Sequence, residues 1–295
     1  MLTGVHFLLT YTCTFECDHC FLHCGPHSEG TFTRSQLRSA FEQIADVSSI
    51  TGVYFEGGEP FLFYPLMLEG VRMARAMGLD VGIVTNAYWA TSVEDARMWL
   101  EPLHALGISD LSLSDDAFHG GEAENTPAKL AYSAARELGM PADTICIEGT
   151  QVQMDIEKGA PVIGGGVRFK GRAAEKLTEG LPARPSRELD SCPHEDLENP
   201  GRVHIDAFGN VMMCQGLNIG NMWHQPLVQL LDQYDPHSHP IAGPLLAGGP
   251  VLLAERNGLF VNDNYVDECH LCYGIRKQLL DRYPEHLGPK QVYGL

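Results

Sequence analysis

The 295-residue chain is short of basic residues: Lys and Arg number 20 against 38 Asp and Glu, for a formal net charge of -18. Nucleic acids are bound by clustered cations that neutralise phosphates, so this balance excludes a nucleic-acid partner. Long apolar runs are missing too. No segment is long enough for a membrane-spanning helix, and Met1-Leu2-Thr3-Gly4 shows no basic export signal. These absences lead to the expectation of a cytoplasmic protein with no membrane partner. Internal repeats and low-complexity stretches are likewise absent, and a hydrophobic content of 44% is that of an ordinary globular chain. Nine cysteines stand against these absences. Without an export signal they argue for metal ligation in a reducing compartment, not for disulfides.

Cys13, Cys17 and Cys20 have the spacing C-x3-C-x2-C and follow the strand-like apolar run Val5-His6-Phe7-Leu8-Leu9. Three thiolates so close can hold three irons of a four-iron cube and leave the fourth open to a small molecule. Further on, the β-rich run Val53-Tyr54-Phe55-Glu56 ends in Gly57-Gly58-Glu59-Pro60. Two glycines allow close backbone approach to a ligand, and Glu59 offers an acceptor for an ammonium group. A zinc knuckle, completed by Cys24, His19 or His23, is the alternative for the triad, but it leaves the Gly57–Pro60 segment without a purpose.

The cysteine triad, with the aromatic His19 before its last member, together with Gly57–Pro60 after a second strand, resembles the radical S-adenosylmethionine (SAM) superfamily. The resemblance implies a [4Fe-4S] cluster on Cys13, Cys17 and Cys20 whose open iron chelates the SAM amino and carboxylate groups. It implies that Gly57, Gly58, Glu59 and Pro60 hold the methionine end, with Glu59 facing its ammonium. It implies ribose or substrate contacts from Asn86, Ser114 and Asp115, and a SAM-carboxylate contact from Arg168 or Arg172. Turn and cap chemistry is an equal reading for Ser112, Ser114, Asp115 and Asp116. A solvated basic loop is an equal reading for Gly164–Arg172.

Strand and helix patterns alternate along the first half. Strands are expected at Val5–Tyr11, Gly52–Phe55, Val81–Thr85, Leu111–Ser114 and Thr144–Met154, and helices at Arg34–Ala45, Tyr64–Met77, Val93–Leu106 and Pro127–Leu138. This alternation implies an α/β fold with a parallel sheet. The resemblance implies that the sheet curves into a partial (β/α)6 TIM-like barrel, with its site at the C-terminal strand ends. A radical SAM core is expected over 1–180. Pro182–Ser186 reads as a linker into a second unit over 181–295, with short strands Arg202–Asp206 and Val211–Met213 around a Phe208-Gly209-Asn210 turn. His237 and His239, flanked by prolines, read as an exposed loop.

Cys192, Cys214, Cys269 and Cys272 form a second set. Cys192 followed by Gly209-x4-Cys214 resembles the opening of a SPASM domain, and only Cys269-His270-Leu271-Cys272 follows. The arrangement resembles the shorter, α+β twitch-like domain and implies one auxiliary [4Fe-4S] cluster. A four-thiolate zinc site uses the same ligands. Cys24 and Cys146 remain, and both read as buried small hydrophobes.

The expected chemistry is reductive cleavage of SAM to a 5′-deoxyadenosyl radical that abstracts a hydrogen atom from a small molecule or peptide. Net oxidation follows if the auxiliary cluster accepts the substrate electron. A flavodoxin or ferredoxin is the expected electron donor. Because the cluster loop begins at Cys13, no leader-binding domain precedes it, which favours a small molecule or a peptide delivered by another protein. The alternatives are a redox-neutral epimerase, with Cys146 as hydrogen donor, and a non-catalytic iron–sulfur electron carrier.

Overall fold

The computed structural model describes residues 1–120, 123–155 and 160–295. Its strands are β1 Gly4–Thr10, β2 Gly52–Gly57, β3 Asp80–Thr85, β4 Asp110–Ser114, β5 Ala142–Ile145, β6 Gln151–Asp155, β7 Ala160–Gly164, β8 Arg184–Pro185, β9 Arg202–Asp206, β10 Asn210–Cys214, β11 Leu217–Asn221 and β12 Asn264–Tyr265. Helices are α1 Arg34–Ala45, α2 Tyr64–Ala76, α3 Val93–Leu106, α4 Pro127–Glu137, α5 Arg172–Lys176, α6 Leu227–Gln233, α7 Ala242–Asn257 and α8 Glu268–Leu279.

One sheet of eight strands, ordered β11-β10-β9-β1-β2-β3-β4-β5, organises the molecule. The six strands from β9 to β5 run parallel, and β10 and β11 add an antiparallel margin. The alternation in β1 explains its two faces. Val5, Phe7 and Leu9 are fully buried, and Phe7 packs on Phe32, Phe41 of α1 and Phe55 of β2. Burying a Phe or Leu side chain contributes about 1.5–3 kcal/mol, so this row fixes which face of β1 meets the helices. The intervening residues, His6 first, face the concave side. Helices α1 and α3 begin at Thr33 and Ser92, whose side chains accept from Gln36 N and Asp95 N, so both starts are capped where the sequence pattern places them.

One expectation is corrected here. The strand expected at Thr144–Met154 is broken: β5 ends at Ile145, and Gln151–Asp155 pairs antiparallel with β7 in a separate two-stranded ribbon. The sixth parallel strand is instead β9, which pairs with β1 through Val5↔Val203 and His6↔His204. The second unit expected from 181 therefore shares the main sheet. The segment read as a linker is also held, because β8 pairs with β12. Among the described residues, no helix is long and apolar enough to cross a membrane.

Candidate active site

A cavity of about 290 Å³ opens at the C-terminal ends of the parallel strands. Cys13, Cys17 and Cys20 line it from the loop after β1, Gly57 and Gly58 from the end of β2, Asn86 from the end of β3 and Ser114 from the end of β4. Parallel strands aim their C-terminal loops at one rim, which is why residues so far apart in sequence converge.

Gly57 and Gly58 pack against the cysteine loop. Gly58 N donates to Thr10 O at 2.7 Å and Glu59 N to Thr12 O at 2.9 Å. A Cβ on Gly58 would stand 2.1 Å from Thr12 O, and Gly57 has φ +124°, so neither position accepts a side chain without moving the loop.

Glu59 does not reach the cavity. It is fully buried, and its carboxylate accepts from Phe61 N (3.0 Å), Thr85 Oγ1 (2.8 Å) and Asn86 N (2.8 Å). Both oxygens accept from the chain, and Glu59 ties the β2 end to the β3 end. Pro60 opens a short 3-10 turn and is buried away from the cavity.

Asn86 lies in the rim, with Nδ2 3.1 Å from Thr14 Oγ1 and 3.5 Å from Cys13 Sγ. Ser114 faces the cavity, but Asp115 does not, since its Oδ1 accepts from Thr126 Oγ1. Asp116 takes the inward place. It accepts from the ring of His119 at 2.8 Å, and His119 Nε2 lies 3.4 Å from Cys17 Sγ. His119 was not singled out from the sequence; it lies five residues past the end of β4 in a loop with no motif.

Arg168 is exposed at the mouth and contacts His194 at 2.9 Å. Arg172 is buried and donates to Cys17 O (2.9 Å) and Cys24 O (2.7 Å), so it clasps the cysteine loop as well as lining the cavity. Gly171 before it has φ +60° and sits where a Cβ would lie 2.5 Å from Cys20 O.

The thiols of this loop are shifted in opposite directions. Burial raises Cys13 to about 11 against the lowering hydrogen bond from Phe15 N, and burial with repulsion from Cys20 and Cys13 pushes Cys17 up to about 12. Cys20 is drawn down to about 6, mainly because the Cys24 thiol donates to its sulfur, with Arg172 assisting against burial. Cys24 is buried as expected, but as a hydrogen-bond partner of a candidate ligand. The donor set fits three irons of a cube, which would replace mutual repulsion by metal–thiolate bonds.

A second, smaller cavity is lined by Cys192, Cys214, Cys269 and Cys272, together with Lys170 and Arg276. Both cations are buried. Lys170 Nζ lies 3.6 Å from Cys214 Sγ, and Arg276 Nε makes no hydrogen bond. Burial raises Cys192 to about 11 and raises Cys269 and Cys272, with further repulsion from other thiols of the set. Four thiols facing two buried cations fit an anionic metal–thiolate centre.

Two corrections concern side chains outside both sets. Cys146 is exposed, not buried: it lies just past the end of β5, and its neighbours Ile145 and Ile147, not Cys146, line the cavity. His239 is buried, not exposed. Its Nε2 donates to Asn218 O at 2.9 Å, and its Nδ1 accepts from Ile241 N and Ala242 N at the start of α7.

Residues 3–115 match a family described as a 4Fe-4S single cluster domain. The chain is 23% identical over 125 residues to the "Putative peptide biosynthesis protein YydG" of Bacillus subtilis (strain 168), a match covering 42% of this chain and 39% of that protein. Less than half of the relative's length is thus spanned. Among solved structures, BtrN in complex with AdoMet and 2-DOIA superposes with a TM-score of 0.52 at 15% identity, over 80% of this chain and 83% of that one. Native anSMEcpe with bound AdoMet aligns over 79% and 80% at a TM-score of 0.45 and 12% identity. The BtrN likeness is one of fold.

Proposed function

We propose that the chain is a radical SAM enzyme that carries out a net oxidation of a small molecule or a peptide, with a second iron–sulfur cluster as electron acceptor, a reading supported by the matched 4Fe-4S domain and the BtrN-like fold. A [4Fe-4S] cluster with SAM bound would supply one-electron reductive cleavage and hydrogen-atom abstraction chemistry. The residues of the chain do the rest. Cys13, Cys17 and Cys20 would hold the cluster, Arg172 clasps their loop, and the Gly57–Gly58 backbone borders the cavity where the methionine end would sit. Asn86 and Ser114 face the rest of the cofactor, and Arg168 stands at the mouth for a carboxylate.

The observation that carries the reading is the second thiol set with its two buried cations, Lys170 and Arg276. A cluster with four protein ligands has no position for substrate, so its use is to take an electron. Lys170 also stands over the Phe21 ring at 5.4 Å, next to Cys20, which puts the two sets at opposite ends of one side-chain contact chain. A flavodoxin or ferredoxin would reduce the first cluster. The epimerase reading required a thiol toward the substrate, and the exposed position of Cys146 argues against that residue.

Anaerobic reconstitution, iron analysis and detection of 5′-deoxyadenosine test the proposal. About eight irons per chain and 5′-deoxyadenosine that disappears in Cys13→Ala are expected. A Cys13→Ala/Cys17→Ala/Cys20→Ala protein that still makes 5′-deoxyadenosine would sink it.

A further inference from the structure

The concave face of the sheet carries a polar cluster that the proposed reaction does not use. His6 of β1, Glu56 of β2 and His204 of β9 come from three adjacent strands, with His6 in register with His204 and Leu8 with Glu56. One ligand atom from each lies within 4.8 Å of the others. His6 Nδ1 is 3.3 Å from Glu56 Oε2, and His204 Nε2 is 3.1 Å from Glu56 Oε1. Glu56 also lines the large cavity, beside Gly57 and Gly58.

Hydrogen bonding alone leaves this cluster unsatisfied. His6 Nδ1 is buried and faces the carboxylate, yet it makes no hydrogen bond. His204 Nε2 faces two groups with opposite needs. The Glu56 carboxylate calls for a donor, whereas the Gln215 amide Nε2, 3.4 Å away, calls for an acceptor. Gln215 cannot turn over without loss, because its Oε1 accepts from Lys170 Nζ at 2.5 Å. One ring nitrogen cannot donate and accept at once. A cation would take lone pairs from both imidazoles and from the carboxylate together.

The spacing agrees with that solution. Ligands held tetrahedrally at about 2.0–2.1 Å from a metal lie about 3.3–3.4 Å from one another. The observed separations of 3.1 and 3.3 Å are close to that edge without rearrangement of the strands. Tyr54 stacks on the His6 ring at 4.7 Å between centroids, which holds the imidazole in plane with the site.

We propose that His6, Glu56 and His204 bind a divalent cation at the floor of the large cavity, of the class that prefers imidazole and carboxylate ligands: zinc, ferrous iron or manganese. Two histidines and one carboxylate leave coordination positions open. Glu56 borders the cavity, so an open position there would receive a hydroxyl, amine or carboxylate of the bound substrate. Cation binding stands independently of the radical chemistry, and only the anchoring role rests on the reading given under Proposed function.

Zinc is the probe. Protein reconstituted with iron and sulfide, so that its cluster cysteines are occupied, is dialysed anaerobically against buffered Zn²⁺ and analysed for metal. Wild type should hold one zinc per chain more than Glu56→Gln and His204→Gln, with affinity at least about tenfold lower in the variants, the scale seen when metal-site partners are lost. The zinc absorption edge should show nitrogen and oxygen neighbours at about 2.0 Å and no sulfur at about 2.3 Å. Equal zinc in wild type and both variants, or a sulfur shell, overturns the proposal. Should the variants lose their iron through misfolding, the wild-type edge decides alone: imidazole scattering supports the site, and its absence overturns it. Absence of 5′-deoxyadenosine in wild type would sink the radical reading while leaving the zinc result untouched.

Discussion

Glu59 and His239 show how much a single buried polar side chain can determine. Each of the Glu59 carboxylate oxygens has a donor from the chain, so the residue joins the ends of β2 and β3 that border the site. Glu59→Ala strands three donors and is expected to destabilise the fold by about 1–3 kcal/mol, read by chemical denaturation. Glu59→Gln should leave SAM affinity within ~threefold, under 1 kcal/mol, by equilibrium binding. A tenfold loss in a folded Gln variant would restore direct contact with the ammonium. His239 is neutral by construction, because Nε2 donates while Nδ1 accepts from two backbone amides. Burial depresses it from 6.5 to about 4, so its contribution is complete above pH 6.5 and is lost as pH falls toward 4. Stability should therefore drop on acidification below 6.5, by at most about 1.4 kcal/mol per pH unit from this group. His239→Gln should flatten that slope in denaturant titrations at pH 7.5 and 5.5; an unchanged slope would show that the ring titrates freely.

At the scale of elements, the site is a set of loops held at strand ends by contacts between segments far apart in sequence. Arg172, at the start of α5, bonds the carbonyls of Cys17 and Cys24, and Lys277 of α8 pairs with Glu175 of α5 at 2.9 Å. Helix α8 brings Cys269 and Cys272 to Cys214 at the end of β10. Replacing Cys269 and Cys272 by Ala should lower iron from about eight to about four per chain while the first cluster remains. If the second cluster takes the substrate electron, this variant still makes 5′-deoxyadenosine but accumulates no oxidised product. Zinc in place of iron at these four cysteines in protein purified anaerobically would remove the electron-acceptor role.

For the whole molecule, the shared sheet makes the two halves interdependent. Strand β1 lies between β2 and β9, and β9 belongs to the C-terminal half. A chain ending at residue 180 would expose the β1 edge and its row of unpaired backbone groups, a template for aggregation. Such a truncation is expected to be insoluble or to lack a cooperative unfolding transition, whereas a cooperative, monomeric product would show that the first 180 residues fold alone. Acidity spread over the chain, formal charge -18, fits a partner or substrate other than nucleic acid.

Local chemistry was legible from the sequence. Cysteine spacing, the glycine pair at 57 and 58 and the helix starts at Arg34 and Val93 act over a few residues, and each appears where its pattern falls. Side-chain direction at loop ends was not. Asp115 and Asp116 differ by one position, and the second lines the cavity; Cys146 is exposed in the segment just past the end of β5. Nor could the sequence tell that β9 would pair with β1 across nearly two hundred residues, since strand pairing depends on which apolar faces must be buried together. The residues by themselves determined what chemistry was present: seven thiols in two sets and a glycine turn. Only the folded sheet decided which of them share a cavity, and that His6, Glu56 and His204 meet in one cluster, because burial and backbone hydrogen bonding are satisfied by the whole sheet and not by any segment of it.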